Sequence, residues 1–384
     1  MSTIPAPSLS RRGTRSGDDE PEGRIGRLVP FALLSMALAL AAACVIVAIS
    51  SLNSSATAEP PAGGHSSHAT AGAAAAAIPA DDKSVKFEEY QEVDPTLPPI
   101  PEGAVKKFKV DVFEHVTKVA ADKPALNVWS YGINGKYYRG TGASTPMVVT
   151  EGDKVEIELI NGSSDKMTVQ FPHSIDYHSS EIAPNKAFAT IEPGKTKKFE
   201  FVAKHAGVFM YHCATDPVLL HTGAGIVGMM IVKPRDLAPV DKELWVTQQE
   251  FYFGEKAGAN PSVEKMEAKQ PDVITFNGYA NQYKDHPISV KKGEKVRMYV
   301  LNAGPSIWSA FHVIGTVFDK TVIEGTVGKS VQTVNLAPSQ GGYVEFTLDD
   351  EGNFPFVTHA FGDMVKGAVG VLQTENSTAK GMGH

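Results

Sequence analysis

The feature that most constrains the fold of this chain is an internal repeat of β-strand patterns. Gly152–Asn161 and Gly293–Asn302 each open with a Gly-acid-Lys turn and continue with alternating apolar and polar residues. Period-two alternation of this kind is typical of a half-buried strand. Residues 193–201 and 338–346 match each other in the same way. Short strands repeated along the chain predict two tandem β-sandwiches.

Composition supports a turn-rich β protein. The 384 residues include 35 Gly and 25 Pro, and only Pro261–Lys269 has a helical pattern in the body. We expect domain 1 at 104–236, domain 2 at 237–376 and a polar tail at 377–384. The formal net charge is −7 without a long basic run in the body, which excludes nucleic acid as an expected partner.

The N-terminal part predicts export of the body. Residues 1–27 form an arginine-rich tail, and residues 28–52 are mostly apolar, enough for a membrane helix of about 20 residues. Basic residues before such a segment keep the N-terminus in the cytoplasm. We expect an uncleaved transmembrane anchor, with a cleaved signal ending near Ala58 as the alternative. Residues 53–103 are predicted to be a linker, which is flexible in its Ala-, Ser-, Gly- and Pro-rich stretch 53–85.

Domain 1 contains a set of soft and borderline metal ligands. Cys213 is the only cysteine outside the apolar segment, so a disulfide framework is excluded. His173 lies on an earlier predicted strand and His221 follows Cys213 closely. A thiolate with two imidazoles is the donor set of a blue electron-transfer copper. These three residues are therefore predicted to bind a type 1 copper.

A second metal site is predicted from strand geometry. Adjacent side chains on a strand point to opposite faces, so His212 turns away from the site of Cys213. His178 is likewise expected to point away from the blue copper, and domain 2 supplies a third imidazole, His359, at the repeat position of His212. A His-only type 2 copper with an open position can bind and polarise a small substrate.

In combination, these motifs resemble copper-containing nitrite reductases. The resemblance rests on His173–His178, Tyr211–Ala214, Phe311–Gly315 and Val357–His359, and it covers nearly all of the body. It implies two tandem cupredoxin-like Greek-key β-sandwiches per subunit, two coppers per chain, and a homotrimer. It also implies the reduction of nitrite to nitric oxide in denitrification, with electrons from a donor such as a small cupredoxin or a cytochrome c. The expected location is a bacterial cell envelope, with the catalytic body on the extracytoplasmic side.

The resemblance also implies roles for single residues. His359 would complete the catalytic copper site on a neighbouring subunit. Asp176 and His312 match the active-site acid and histidine, which handle protons, and Ile314 matches the apolar residue that shapes the substrate pocket. Nitrite reduction consumes one electron and two protons, and a carboxylate and an imidazole can supply protons.

One position departs from the family pattern. The axial methionine of the blue copper is expected where this chain has Ile226. We expect a three-coordinate site with Ile226 non-bonding, although Met210, Met229 or Met230 could supply a thioether. Loss of a thioether donor disfavours Cu(II) and raises the redox potential.

Two other functions are open to a chain of this kind. A laccase-like multicopper oxidase needs His-x-His pairs for its trinuclear cluster, and the body has none. An envelope electron-transfer or copper-binding cupredoxin would need only one copper. Such a carrier does not require Asp176, His178, His312 and His359 together.

Overall fold

The structure of the protein is a computed structural model that describes residues 77–162, 169–183 and 189–377. The predicted tail 1–27, the apolar segment 28–52, the start of the predicted linker and the tail beyond 377 lie outside these residues. Within the described ranges, no helix combines the length and apolar character that crossing a bilayer requires.

The first half of the described body is a β-sandwich. Its elements are β1 (Val105–Thr117), β2 (Leu126–Ile133), β3 (Met147–Thr150), β4 (Lys154–Ile160), β5 (Asp176–Tyr177), β6 (Thr196–Val202), β7 (Gly207–His212), helix α1 (Val218–Gly223) and β8 (Val227–Lys233). One sheet has the order β2-β1-β4-β6 and the other has the order β3-β8-β7-β5. Apolar side chains from both sheets form one core between them.

The second half repeats this arrangement with larger sheets. Its strands are β9 (Lys242–Phe251), β10 (Val273–Phe276), β11 (Ile288–Val290), β12 (Lys295–Gly304), β13 (Ser309–Val313), β14 (Lys320–Ile323), β15 (Thr326–Gly328), β16 (Val334–Leu336), β17 (Gly341–Thr347), β18 (Asn353–Thr358) and β19 (Val369–Thr374). Its helices are α2 (Val263–Glu267), α3 (Gln282–Asp285) and α4 (Phe361–Met364). The sheet orders are β10-β9-β12-β17-β14-β15 and β11-β19-β18-β13-β16.

The two repeated strands differ in how they are covered. In β4, buried and partly exposed residues alternate, as the period-two pattern predicts. In β12, nearly every residue is buried, because the two faces pack on different partners. Val296 and Met298 lie in the core of the second sandwich, whereas Tyr299 and Leu301 lie in an apolar cluster shared with the first sandwich. The contact between the sandwiches therefore buries the face that the alternation predicts to be exposed.

The last part of the predicted linker is packed against the body. Val93 is fully buried. Its N–H donates to the side chain of Gln282 at 3.2 Å, and its carbonyl accepts from the Tyr283 hydroxyl at 3.0 Å. Thr96 forms a bridge with Leu244 of β9. The part of the predicted linker around residues 93–97 is therefore an extended segment that pairs with β9 at the edge of the second sandwich.

Candidate metal centres

One end of the first sandwich brings together His173, Cys213 and His221, here called the thiolate cluster. Cys213 directly follows β7, His173 precedes β5, and His221 lies on α1 between β7 and β8. Strands β5 and β7 are hydrogen-bonded neighbours. The cluster therefore forms where two adjacent strands and one connecting helix meet.

The distances within the thiolate cluster suit one shared ion. Cys213 Sγ lies 3.2 Å from His221 Nδ1 and 3.8 Å from His173 Nδ1, and the two Nδ1 atoms are 3.1 Å apart. Atoms that bind one ion at about 2.0–2.3 Å lie within roughly 4 Å of one another. All three side chains are buried. One thiolate and two imidazoles are the donors that copper takes in blue sites, so the cluster fits a copper ion.

The environment of Cys213 favours the thiolate, which is the form that binds metals. Burial raises the pKa of the thiol, but the hydrogen bonds and charges of His173 and His221 outweigh burial and bring the pKa to about 5. Burial lowers the pKa of His173, whereas Cys213 and Glu114 raise it above its ordinary value. The N–H of Ser174 also donates to the sulfur at 3.4 Å.

Ile226, the residue at which an axial ligand is expected from the sequence, has a buried aliphatic side chain. Ile226 is fully buried in the core that contains Cys213, and its carbonyl accepts from the N–H of Cys213 at 3.2 Å. Met210 and Met229 face each other across β7 and β8 and lie in the apolar cluster between the sandwiches. The sulfur of Met230 accepts a hydrogen bond from Ser179 at 3.1 Å. The three-coordinate metal site with a non-bonding Ile226 stays a prediction.

A second group of potential ligands, here called the histidine cluster, consists of Asp176, His178 and His212. The Nε2 atoms of His178 and His212 are 3.1 Å apart, and Asp176 Oδ2 lies 3.9 Å from His212 Nε2. His212 Nδ1 lies 2.8 Å from the carbonyl of Cys213, which leaves its Nε2 free to bind a metal. The cluster is partly exposed, so a small molecule or another chain can reach it.

Burial and neighbouring charges shift the pKa values of Asp176 and His178 in the histidine cluster. Burial raises the pKa of Asp176, and the positive charges of His212 and His178 offset part of that rise. Burial also lowers the pKa of His178, as does the charge of His212. A carboxyl whose pKa is raised can hold a proton nearer to neutral pH and pass it to a bound molecule.

The second sandwich places its two predicted histidines side by side. The rings of His312 and His359 stack with centroids 5.2 Å apart. His312 Nδ1 also contacts the carbonyl of Gln332, and burial lowers the pKa of His312. Ile314 directly follows β13 and is partly buried, with its N–H donating to Pro355 at 2.7 Å. Among the described residues, His359 belongs to neither ligand cluster of the chain.

The strand register corrects the repeat position assigned to His359. From the sequence, His359 is expected to match His212. His212 pairs with Val227, and Val357 pairs with Val369 in the second sandwich. The two partner valines stand in matching Gly-x-Val-Gly sequences, so Val357 is the counterpart of His212. The predicted repeat position was wrong by two residues, because it aligned the two histidines and not the residues that pair with matching strand partners.

Glu114 is a contact of the thiolate cluster that the sequence analysis missed. Its Oε1 lies 3.0 Å from His173 Nε2, on the side of the ring away from Cys213. The signal in the sequence is an acid beside the apolar residues Val112 and Phe113 of β1, at a position that the structure buries. A buried acid needs a partner, but the sequence does not tell which residue it is.

Comparisons with known proteins agree with this geometry. The sequence profile described as multicopper oxidase matches residues 116–237. A copper-containing nitrite reductase of Neisseria gonorrhoeae is 38% identical over 239 residues, which is 60% of this chain and 60% of the relative. The chain therefore spans less than two thirds of that relative's length.

Two solved structures have a similar fold. The copper nitrite reductase from Nitrosomonas europaea superposes with a TM-score of 0.63 at 28% identity, covering 71% of this chain and 94% of that one. A Cu-containing nitrite reductase from Thermus scotoductus superposes with a TM-score of 0.62 at 29% identity, covering 71% and 62%. The resemblance predicted from the motifs is thus confirmed: the chain has an all-β, cupredoxin-like fold and is similar to copper-containing nitrite reductases.

Proposed function

We propose that the protein is a copper-dependent enzyme that reduces nitrite to nitric oxide. The observation that carries the proposal is the pair of ligand clusters joined by the peptide bond between His212 and Cys213, with Asp176 beside the outer cluster. The reaction adds one electron and two protons to nitrite and releases nitric oxide and water. The similarity to copper-containing nitrite reductases supports this assignment.

We assign two copper ions to each chain. The thiolate cluster would hold a type 1 copper, and His178 and His212 would hold a type 2 copper with one further imidazole. When bound, copper supplies the transferable electron and a Lewis-acidic position for nitrite. The short covalent path from Cys213 to His212 joins the two ligand sets.

The proton donors proposed for the reaction are Asp176 and His312. The Oδ2 atom of Asp176 faces the imidazoles of the histidine cluster, where it can hold a proton and donate a hydrogen bond to an oxygen of nitrite. His312 would deliver the second proton, and Ile314 would narrow the pocket around the substrate. An acid and an imidazole acting together suit a reaction that consumes two protons.

Among the described residues of one chain, the histidine cluster contains two imidazoles, so we propose that His359 of a neighbouring copy supplies the third in a homotrimer. The side chains of Trp308, Phe361 and Val365, close in sequence to His312 and His359, are exposed. Apolar side chains that form one exposed patch mark interaction surfaces, and the ring of Phe361 packs edge-on against that of His359. The electron donor is proposed to be a small cupredoxin or a cytochrome c.

The proposal is tested by copper analysis and anaerobic turnover on the purified protein. We expect two coppers per chain, a visible thiolate band, and nitric oxide from nitrite with a one-electron donor. A carrier protein would instead bind one copper and leave nitrite unchanged. Two coppers without nitric oxide formation would contradict the assignment of the substrate.

We further propose that the apolar segment 28–52 anchors the protein in the membrane of a bacterial cell envelope, with the body outside the cytoplasm. The proposal rests on the length of the segment and the arginines before it. Protease treatment of intact spheroplasts should then remove the body, whereas a cytoplasmic body would survive.

A further inference from the structure

The buried carboxylate of Glu114 contacts three nitrogen atoms. Its oxygens accept the N–H groups of Gln170 and Phe171, both at 2.9 Å, and Oε1 lies 3.0 Å from Nε2 of His173. Its side chain is only 3% exposed, and that of His173 is fully buried. The acid therefore connects strand β1 to the segment that carries a ligand of the thiolate cluster.

The second sandwich contains a counterpart of this acid, Glu250 on β9. It accepts the N–H groups of Ser306 and Ile307, with Oε1 at 3.0 and 2.8 Å. The surroundings match as well, since the Asn161 side chain donates to Phe171 and that of Asn302 donates to Ile307. Binding two successive N–H groups is thus a property of both halves.

The third contact differs between the halves. Glu114 contacts the imidazole of His173, whereas Glu250 accepts a hydrogen bond from the hydroxyl of Tyr252. In the second half, Ser309 stands at the position of His173 and donates to Gln248 instead. Both acids bind backbone N–H groups, but only Glu114 also contacts an imidazole. This contact is therefore not explained by the structural role that the two acids share.

We infer that Glu114 is a positioning residue for the copper ligand His173. The carboxylate accepts the Nε2 proton, which fixes the tautomer, directs Nδ1 toward Cys213 and makes the imidazole a stronger donor. A stronger donor favours Cu(II) over Cu(I) and lowers the redox potential, so it opposes the effect of Ile226. The inference rests on the part of the proposed function that assigns copper to the thiolate cluster.

The test compares Glu114→Gln with Glu250→Gln in the full chain loaded with copper. Loss of a hydrogen-bond partner of a metal-bound histidine typically lowers metal affinity or activity 10- to 100-fold. We expect the Cu(II)-over-Cu(I) preference of Glu114→Gln to fall by that factor, which raises the midpoint potential by about 59–118 mV. The thiolate band should shift as well. Glu250→Gln should keep the wild-type potential and spectrum, although it loses the same backbone contacts.

Redox titration of the thiolate band separates the outcomes. An unchanged potential in Glu114→Gln, or equal shifts in both variants, would overturn the inference. Wild-type protein that forms no thiolate band would also overturn it. A shift in Glu114→Gln only, without nitrite turnover by the wild type, would support the inference and reject the proposed substrate. If Glu114→Gln does not fold, Glu114→Asp, whose carboxylate is withdrawn from the ring, should show a smaller shift in the same direction, and an unchanged potential would reject the role.

Discussion

His212 and Cys213 are consecutive residues, yet their side chains belong to two different ligand clusters on opposite sides of one strand end. Cys213 Sγ lies 3.2 Å from His221 Nδ1, and His212 Nε2 lies 3.1 Å from His178 Nε2. The alternation of side chains along a strand produces this arrangement without any special loop. Two metal sites built in this way are joined by a few covalent bonds.

Removal of the thiolate should separate the two sites. In Cys213→Ala, we expect loss of the visible thiolate band and of electron supply, because the imidazoles alone do not form a blue site. One copper per chain should remain at the histidine cluster. Absorption spectra and copper analysis measure both effects, and a variant with normal colour would refute Cys213 as a ligand.

Asp176→Asn should leave both coppers in place and lower nitrite turnover by about 10²–10⁴-fold, the usual contribution of acid–base groups. The amide has a similar shape but cannot hold the proton that burial stabilises on the acid. Asp122→Asn, which alters an exposed acid, is the matched control. Turnover equal to that of the control would remove Asp176 from the mechanism.

Ile226→Met should lower the potential of the copper in the thiolate cluster, because a thioether donor stabilises Cu(II). The two side chains are close in volume, so we expect a stability change below about 1.5 kcal/mol. Redox titration measures the shift. The absence of a shift would mean that another group already occupies the axial position.

Coexpression can test whether His359 acts on a neighbouring subunit. His359→Ala and His178→Ala should each lose the copper of the histidine cluster and the turnover that depends on it. Mixed assemblies of the two variants should recover part of both, because some sites then combine an intact His178 with an intact His359. Recovery would be absent if both residues served one site within a single chain.

Glu88 should contribute stability that depends on pH. Burial raises its pKa, but the 3.2 Å contact with His115 Nδ1 and the hydrogen bond from the Tyr137 hydroxyl outweigh burial and lower the pKa to about 2 from 4.5. A lowered pKa stabilises the fold above pH 4.5, and this contribution is lost as the pH falls toward 2.

Glu88→Gln should therefore lower the free energy of unfolding at pH 7 by roughly 1–2 kcal/mol. The difference from the wild type should shrink as the pH falls from 4.5 to 2, which denaturant titrations at several pH values can measure. Glu89→Gln, at the exposed neighbour, is the control. A difference that does not change with pH would contradict the assignment.

Local patterns predicted much of the fold and of the thiolate cluster. Alternation identified β4 and β12, and the helical pattern near residue 265 corresponds to α2. The gathering of His173, Cys213 and His221 could be predicted because Cys213 is the only cysteine outside the apolar segment 28–52, which restricts the choice of ligands. The strands and the helix depend on residues that are close in sequence. The ligand cluster depends on the preference of copper for a thiolate with two imidazoles.

Features that depend on contacts between distant segments could not be predicted in this way. The outer face of β12 is buried by the other sandwich, and Val93 is buried among residues far along the chain. The role of Glu114 depends on the loop before His173 folding back onto β1. The alternation of apolar and polar residues within one strand does not show which distant segment will cover it.

The matching positions of Glu114 and Glu250 allow the two halves to be aligned residue by residue, which identifies positions for engineering. Both halves keep the same pair of backbone contacts to a buried acid, whereas their side chains differ at the end where the thiolate cluster lies. By the strand alignment, Ser309, Thr358 and Asp363 stand where the first copy has His173, Cys213 and His221. Grafting the three ligands onto these positions would test whether the second half can hold the same centre that we propose for the first.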